Sequence, residues 1–69
     1  MDRVPNLVER LEQQRNFLTV AQLAELMGWH PQTVYKAVAS DKLPYVRAKG
    51  LRFDPVEVAK WLRARYSNL

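Results

Sequence analysis

Four polar side chains are spaced to share one face of a short helix. They are Gln32, Thr33, Tyr35 and Lys36. At 3.6 residues per turn, Gln32 and Lys36 lie one turn apart at the centre of this face, with Thr33 and Tyr35 on its flanks. An exposed amide and an exposed ammonium group match the edges of adenine and guanine in a DNA major groove. These residues are therefore candidate base contacts, together with His30 at the expected N-cap.

A second informative group is three cations within six residues, Arg47, Lys49 and Arg52. Their surroundings predict a small β-hairpin, because two short strand-like stretches flank a loop in which Gly50 can take the left-handed position. Like charges on a two-stranded ribbon repel one another, and phosphate groups would offset that repulsion. We therefore expect these cations to contact DNA phosphates or the minor groove rather than to form an ordinary solvated surface.

Composition argues against several other kinds of site. A chain of 69 residues supports one domain with a modest core and no deep pocket for a small-molecule substrate. With no cysteine and one histidine, it lacks the ligands for a disulfide framework or a zinc site, so neither a metal nor a cofactor is expected. There is no glycine-rich phosphate loop and no evident pairing of an acid, a base and a nucleophile. The sequence therefore does not indicate an enzyme.

The candidate base contacts follow a stretch that predicts two helices joined by a sharp turn. Thr19 and Gln22 have the spacing of a capping box, which begins a helix at the next residue. Gly28 can end that helix in the left-handed conformation, and Pro31 suits the first position of the second helix. The expected helices cover residues 20–27 and 31–40. Together they predict a helix-turn-helix.

The segments on either side should complete a small core. Phe17 and Leu18 are expected to anchor the capped helix as a hydrophobic staple. No glycine ends the second helix, so Asp41 or Lys42 should take a left-handed cap, which aspartate tolerates better. Trp61, on the last helix, is expected to be the largest core residue rather than a base-stacking platform.

The hairpin and the last helix have local signals of their own. The strands should lie within 45–47 and 51–53, forming a wing over about 45–53. Asp54, Pro55 and Glu57 form a capped helix start, and this helix should run over residues 55–66. Arg63 and Arg65 near its end can relieve the helix dipole, which is a structural explanation for part of the basic charge.

The N-terminal segment, residues 1–16, predicts one further amphipathic helix. Its apolar stripe consists of Val4, Leu7, Val8 and Leu11. A stripe of barely two turns is shorter than a coiled coil requires, so packing against the rest of the domain is favoured over dimerisation. Residues 67–69 form a tail.

Charge and hydropathy indicate the partner and the compartment. Residues 46–69 carry six cations and two anions, whereas residues 1–45 carry five of each, so the net charge of +4 lies in the wing and last helix. This asymmetry favours docking on a polyanion. No apolar run approaches the roughly 20 residues needed to span a bilayer, so no membrane partner is expected. The expected location is the cytoplasm.

Several short motifs occur in an order that resembles a known family. They are Leu18-Thr19, Ala24-x-x-x-Gly28, Thr33-Val34-Tyr35, Leu43-Pro44, Val46-Arg47, Arg52-Phe53, and Pro55 with Trp61-Leu62. Together they resemble the excisionase-type, MerR-like winged helix-turn-helix DNA-binding domains. The resemblance implies a mainly α fold with a small β-hairpin, in which residues 17–66 form the DNA-binding domain. The chain departs from the family pattern at His30, Pro31 and Gln32, it lacks the glycine before Leu43, and its N-terminal helix is additional.

The resemblance also implies a setting, the nucleoid of a bacterial cell or a phage-infected host, and a function. A recognition helix would enter the major groove of double-stranded DNA, and the wing would reach the adjacent minor groove. The expected role is that of an excisionase, a recombination directionality factor of a phage or integrative element, and the alternative is a small transcriptional regulator. An integrase or recombinase, or further copies on adjacent sites, would then be partners. An alternative of another class is a protein-interaction module, whose affinity would be insensitive to salt.

Overall fold

The computed structural model describes the backbone of residues 3–65 and the side chains of residues 6–65. Within this range the elements are α1 (Arg3–Glu12), α2 (Val20–Met27), α3 (Pro31–Ser40), β1 (Val46–Arg47), β2 (Leu51–Arg52) and α4 (Pro55–Arg65). Four helices and one antiparallel hairpin confirm the predicted fold class, a winged helix-turn-helix. The predictions for the Val4 side chain, for a helix end at Tyr66 and for the tail 67–69 lie outside the described residues.

The turn between α2 and α3 is built from local signals, as predicted. The Thr19 hydroxyl accepts a hydrogen bond from the Gln22 N–H at 3.1 Å, and the Gln22 side chain accepts one from the Thr19 N–H at 2.9 Å. Gly28 ends α2 with a φ of 72°. In this conformation the Trp29 N–H reaches the Ala24 carbonyl oxygen at 2.8 Å. The capping box and the glycine turn are therefore confirmed.

The end of α3 has its left-handed residue at the second of the two predicted positions. Lys42 adopts the left-handed conformation with a φ of 59°, whereas Asp41 has a φ of −110°. Asp41 is held by α4, because its carbonyl oxygen accepts a hydrogen bond from the Trp61 side chain at 2.9 Å. The left-handed conformation that turns the chain after α3 therefore occurs at the next residue, Lys42. It allows Leu43 to enter the core, where it is 1% exposed.

The hairpin has the predicted three-residue loop, residues 48–50, but its strands are shorter than predicted. β1 and β2 pair antiparallel, with Val46 opposite Arg52 and Arg47 opposite Leu51. Gly50 has a φ of 102°, as its predicted role requires, and Lys49 is also left-handed at 57°. This hairpin is the wing.

A long-range backbone pairing ties the wing to the segment before α2. The N–H groups of Leu18 and Phe53 each donate to the other residue's carbonyl oxygen at 2.9 Å. Leu18 is extended in this pairing, and α1 ends earlier, at Glu12, instead of extending through residue 16 as predicted. Leu18 is buried as predicted, but Phe17 is 50% exposed, so its predicted role as an anchor is wrong.

The core lies where α1 packs against α4 and α2 packs against α3. Leu7, Val8 and Leu11 place the stripe of α1 in this core, so the predicted packing of the helix against the domain is confirmed. Phe53, not Trp61, is the largest fully buried side chain. Trp61 is only partly buried because its N–H reaches outward to the Asp41 carbonyl oxygen. Its prediction as the largest core residue is therefore wrong.

Candidate nucleic-acid interface

Helix α3 has one buried face and one polar, exposed face. Val34 and Ala37 are 0% and 3% exposed, and they fix the rotation of the helix against the core. The predicted base contacts lie on the outer face. All four are exposed, namely Gln32, Thr33, Tyr35 and Lys36. Within the described part of the chain their side chains form no hydrogen bond or ion pair, so their polar groups are available to a ligand.

His30 has a structural role at the start of this helix. Its Nδ1 accepts a hydrogen bond from the Gln32 N–H at 3.2 Å, which caps one of the free amides of the first turn. Only Nε2 is left to contact a ligand. The exposed ring therefore lies beside the candidate base contacts, while its orientation is set by the cap.

The wing does not hold its cations as one cluster. Arg47 and Arg52 belong to adjacent pairs of the ladder, since Val46 lies opposite Arg52 and Arg47 lies opposite Leu51. Successive residues of a strand point to opposite faces, so the two arginines project from opposite faces of the ribbon. Lys49 lies in the exposed loop at the tip. The predicted crowding of the three cations on the wing is therefore corrected to a distribution over two faces and a tip.

The Tyr45 side chain is an element of this surface that the sequence interpretation missed. The Arg47 guanidinium lies 5.9 Å from the centre of the Tyr45 ring, within cation–π range, and Tyr45 is 44% exposed. An aromatic residue two positions before an arginine in a strand shares its face. This spacing is visible in the sequence and could have predicted the contact.

The cations of α4 differ from those of the wing in having carboxylate partners. Lys60 lies 3.4 Å from Glu57, Arg63 lies 2.6 Å from Glu12, and Arg65 lies 3.9 Å from Asp41. The three wing cations form no ion pair with the residues that the structure describes. Of these two segments, the wing therefore carries the positive charge that has no carboxylate partner, rather than sharing it with the last helix as the charge count suggested.

The candidate surface is not a pocket. A groove of about 260 Å³ lies between α1 and α2, and none of the candidate contacts lines it. Residues 3–65 contain no cluster of three or more histidine, cysteine or acidic side chains that could hold a metal ion. In the same range no helix has the length and apolar character needed to cross a membrane.

A polar outer face on the second helix of a helix-turn-helix, next to a basic wing, defines a winged helix-turn-helix of the nucleic-acid-binding class. The family model described as a helix-turn-helix domain matches residues 17–66. The chain therefore belongs to the helix-turn-helix domain family, in its excisionase-like DNA-binding group. This membership indicates DNA as the partner. Comparison with the curated proteins and with the solved structures gave no match.

Proposed function

We propose that this protein binds double-stranded DNA sequence-specifically and acts as an excisionase, a recombination directionality factor of a phage or integrative element. One observation carries the proposal. The outer face of α3 presents four polar side chains without intramolecular partners among the described residues, next to a wing whose cations have no carboxylate partner there. Membership of the excisionase-like group supports the specific role.

The proposed roles follow from side-chain chemistry. Gln32 and Lys36 hydrogen-bond to the major-groove edges of adenine and guanine. Thr33 and Tyr35 contact the flanking backbone or a thymine methyl group, and His30 contacts DNA through Nε2. The wing contacts phosphates at the adjacent minor groove. Its contacts are Arg47, Lys49 and Arg52. We refer to α3 as the recognition helix.

The proposal includes the organisation and partners of the chain. Residues 17–66 form the DNA-binding unit, and α1, within residues 1–16, is a helix that supports it. An integrase, or further copies of this chain on adjacent sites, complete the assembly on DNA. The place of action is the nucleoid in the cytoplasm of a bacterial cell or a phage-infected host. No catalytic role is proposed for the chain.

A salt-resolved binding titration on duplex DNA tests the wing. Each lost phosphate contact should make the slope of log K against log salt shallower by about 0.9. We expect this change for Arg47→Ala, Lys49→Ala and Arg52→Ala. Arg63→Ala removes the same charge from a site already paired with Glu12, so it is the matched control and should leave the slope unchanged. Equal slopes in all variants contradict the wing assignment.

A comparison of preferred and random DNA tests the recognition helix. Gln32→Ala or Lys36→Ala should weaken binding to the preferred sequence by roughly 1 to 3 kcal/mol and binding to random DNA only slightly. Gln13→Ala, which removes an exposed amide at the end of α1, is the control. Equal losses of binding free energy on the preferred and the random DNA would show that these residues contact the DNA backbone instead of the bases.

An excision assay tests the biological role. An integrase acting on DNA that carries its attachment sites should excise more product when this protein is added, and less with the Gln32→Ala variant. If excision is unchanged while transcription from the bound DNA changes, the protein is instead a transcriptional regulator. Binding to a protein partner with salt-insensitive affinity, without DNA binding, would indicate the interaction module.

A further inference from the structure

The two arginines of the wing are held apart by the register of the hairpin. Arg47 shares a face with Leu51, which packs partly against the core, so Arg47 lies on the side of the wing nearer the helices. Arg52 shares the outer face with Val46. The short loop between the strands fixes this register, and a slip by one residue would exchange the faces.

Arg47 is pre-ordered by an aromatic neighbour. Its guanidinium lies over the Tyr45 ring at 5.9 Å from the ring centre, so the side chain is directed back along β1, away from the tip of the wing. A guanidinium on an aromatic face keeps its edge N–H groups available, and these form the planar fork that binds phosphate. Tyr45 is therefore a positioning residue for Arg47.

Arg52 is pre-ordered by a different contact. Its Nη1 donates to the Leu51 carbonyl oxygen at 2.9 Å, and a Cβ atom added at Gly50 would lie 3.3 Å from the same nitrogen. The guanidinium thus lies along the loop end of the hairpin, in space that Gly50 leaves open. The two guanidinium groups therefore differ both in the face they occupy and in the direction they take along the ribbon.

We propose that the wing is a two-sided phosphate clamp, in which Arg47 and Arg52 contact phosphates of opposite DNA strands. The inference depends on the proposed DNA binding and deepens it. Each wall of a minor groove is the sugar–phosphate backbone of a different strand. A ribbon that enters tip first turns one face toward each wall. Arginines on opposite faces then contact opposite strands, whereas arginines on one face would contact a single strand.

Removing phosphate charge from one DNA strand at a time tests the clamp, with the full protein chain as the binding partner. The probe is a duplex that the wild-type protein selects from a random library, with methylphosphonates placed across the wing footprint in one strand or in the other. Arg47→Gln and Arg52→Gln remove each charge but keep a long polar side chain. Arg63→Gln, which removes a charge already paired with Glu12, is the control for charge loss. Circular dichroism confirms that each variant is folded.

We expect neutralising either strand to weaken wild-type binding roughly tenfold. Binding by Arg47→Gln should no longer respond to neutralisation of one DNA strand but should still respond to neutralisation of the other. Arg52→Gln should show the opposite pattern. Arg63→Gln should keep the wild-type sensitivity to neutralising either DNA strand. If both arginines couple to the same strand, or neither couples to a strand, the clamp is wrong while DNA binding stands. If no duplex is selected, the proposed function and the clamp both fail.

The Tyr45 variants test the positioning step. Tyr45→Leu removes the π face. It should reduce the effect of neutralising the DNA strand assigned to Arg47, which we call the Arg47 coupling, and leave the corresponding Arg52 coupling intact. Tyr45→Phe keeps the ring and should retain both couplings. Equal couplings in the leucine and phenylalanine variants would show that the ring does not position Arg47. A merely structural role for Tyr45 would instead weaken both couplings together.

Discussion

The indole N–H of Trp61 donates a hydrogen bond to the backbone carbonyl oxygen of Asp41 at 2.9 Å. The Arg65 guanidinium adds a second contact, 4.9 Å from the centre of the Trp61 ring and 3.9 Å from the Asp41 carboxylate. Asp41 directly follows the last residue of α3. These contacts therefore tie the C-terminal end of the recognition helix to α4, while Val34 and Ala37 set its rotation from below.

Replacing Trp61 by phenylalanine should show what this bond contributes. Trp61→Phe keeps an aromatic ring but removes the donor, so the free energy of unfolding should fall by about 1 to 2 kcal/mol. Urea unfolding followed by circular dichroism measures it. Trp29→Phe is the matched control, because Trp29 is also partly buried and its indole has no hydrogen-bond partner among residues 3–65. Equal losses in the two variants contradict a specific contribution from the bond.

The left-handed Lys42 predicts a stabilising substitution. A residue other than glycine with a φ of 59° is strained by about 1 to 2 kcal/mol, and glycine would relieve this strain. Glycine also has more conformational freedom in the unfolded chain, which offsets part of that stabilisation. Lys42→Gly should therefore stabilise the protein by roughly 0.5 to 1 kcal/mol in thermal or urea unfolding. Lys42→Ala removes the same charge but keeps the strain, so it should not stabilise. A gain in both variants would point to charge instead.

Features that depend on neighbours in the sequence could be predicted well. The Thr19–Gln22 capping box, the Gly28 turn and the start of α4 at Pro55 each use groups within a few residues, whose geometry is fixed by the local backbone. The buried face of α3 followed from helical periodicity for the same reason. The exposed candidate contacts on that helix could be predicted because they lie on the side opposite to its buried face.

Features that depend on distant pairing were missed. The Leu18–Phe53 pairing joins residues far apart in the chain, and it holds Leu18 against the core while its neighbour Phe17 faces solvent. The position of Trp61 depends on its bond to Asp41, which no local pattern indicates. The division of the wing arginines between two faces is an intermediate case, since a three-residue loop and the two-residue period of strands together imply it.

Truncation of Val34 should affect every activity through the core. Val34 is fully buried, so Val34→Ala leaves a cavity and should cost about 1 to 3 kcal/mol. In a domain with roughly 3 to 5 kcal/mol of stability, this is a large share. Each kcal/mol should lower the melting temperature by roughly 4 to 8 °C. Val56→Ala, at a valine that is 45% exposed, is the control and should change the melting temperature little. Similar losses would contradict the assignment of Val34 to the core.

The packing of α1 against α4 predicts a helix that supports the domain and does not form a dimer in free solution. Leu11 is fully buried between these helices, so Leu11→Ala should cost about 2 to 5 kcal/mol and unfold much of the population. Glu9→Ala, on the exposed side of the same helix, should have little effect. Because Leu7, Val8 and Leu11 are already buried within one chain, the unfolding midpoint of the wild-type protein should not change with protein concentration. A midpoint that rises with concentration would indicate that a second copy completes the core, and the supporting role of α1 would then be wrong.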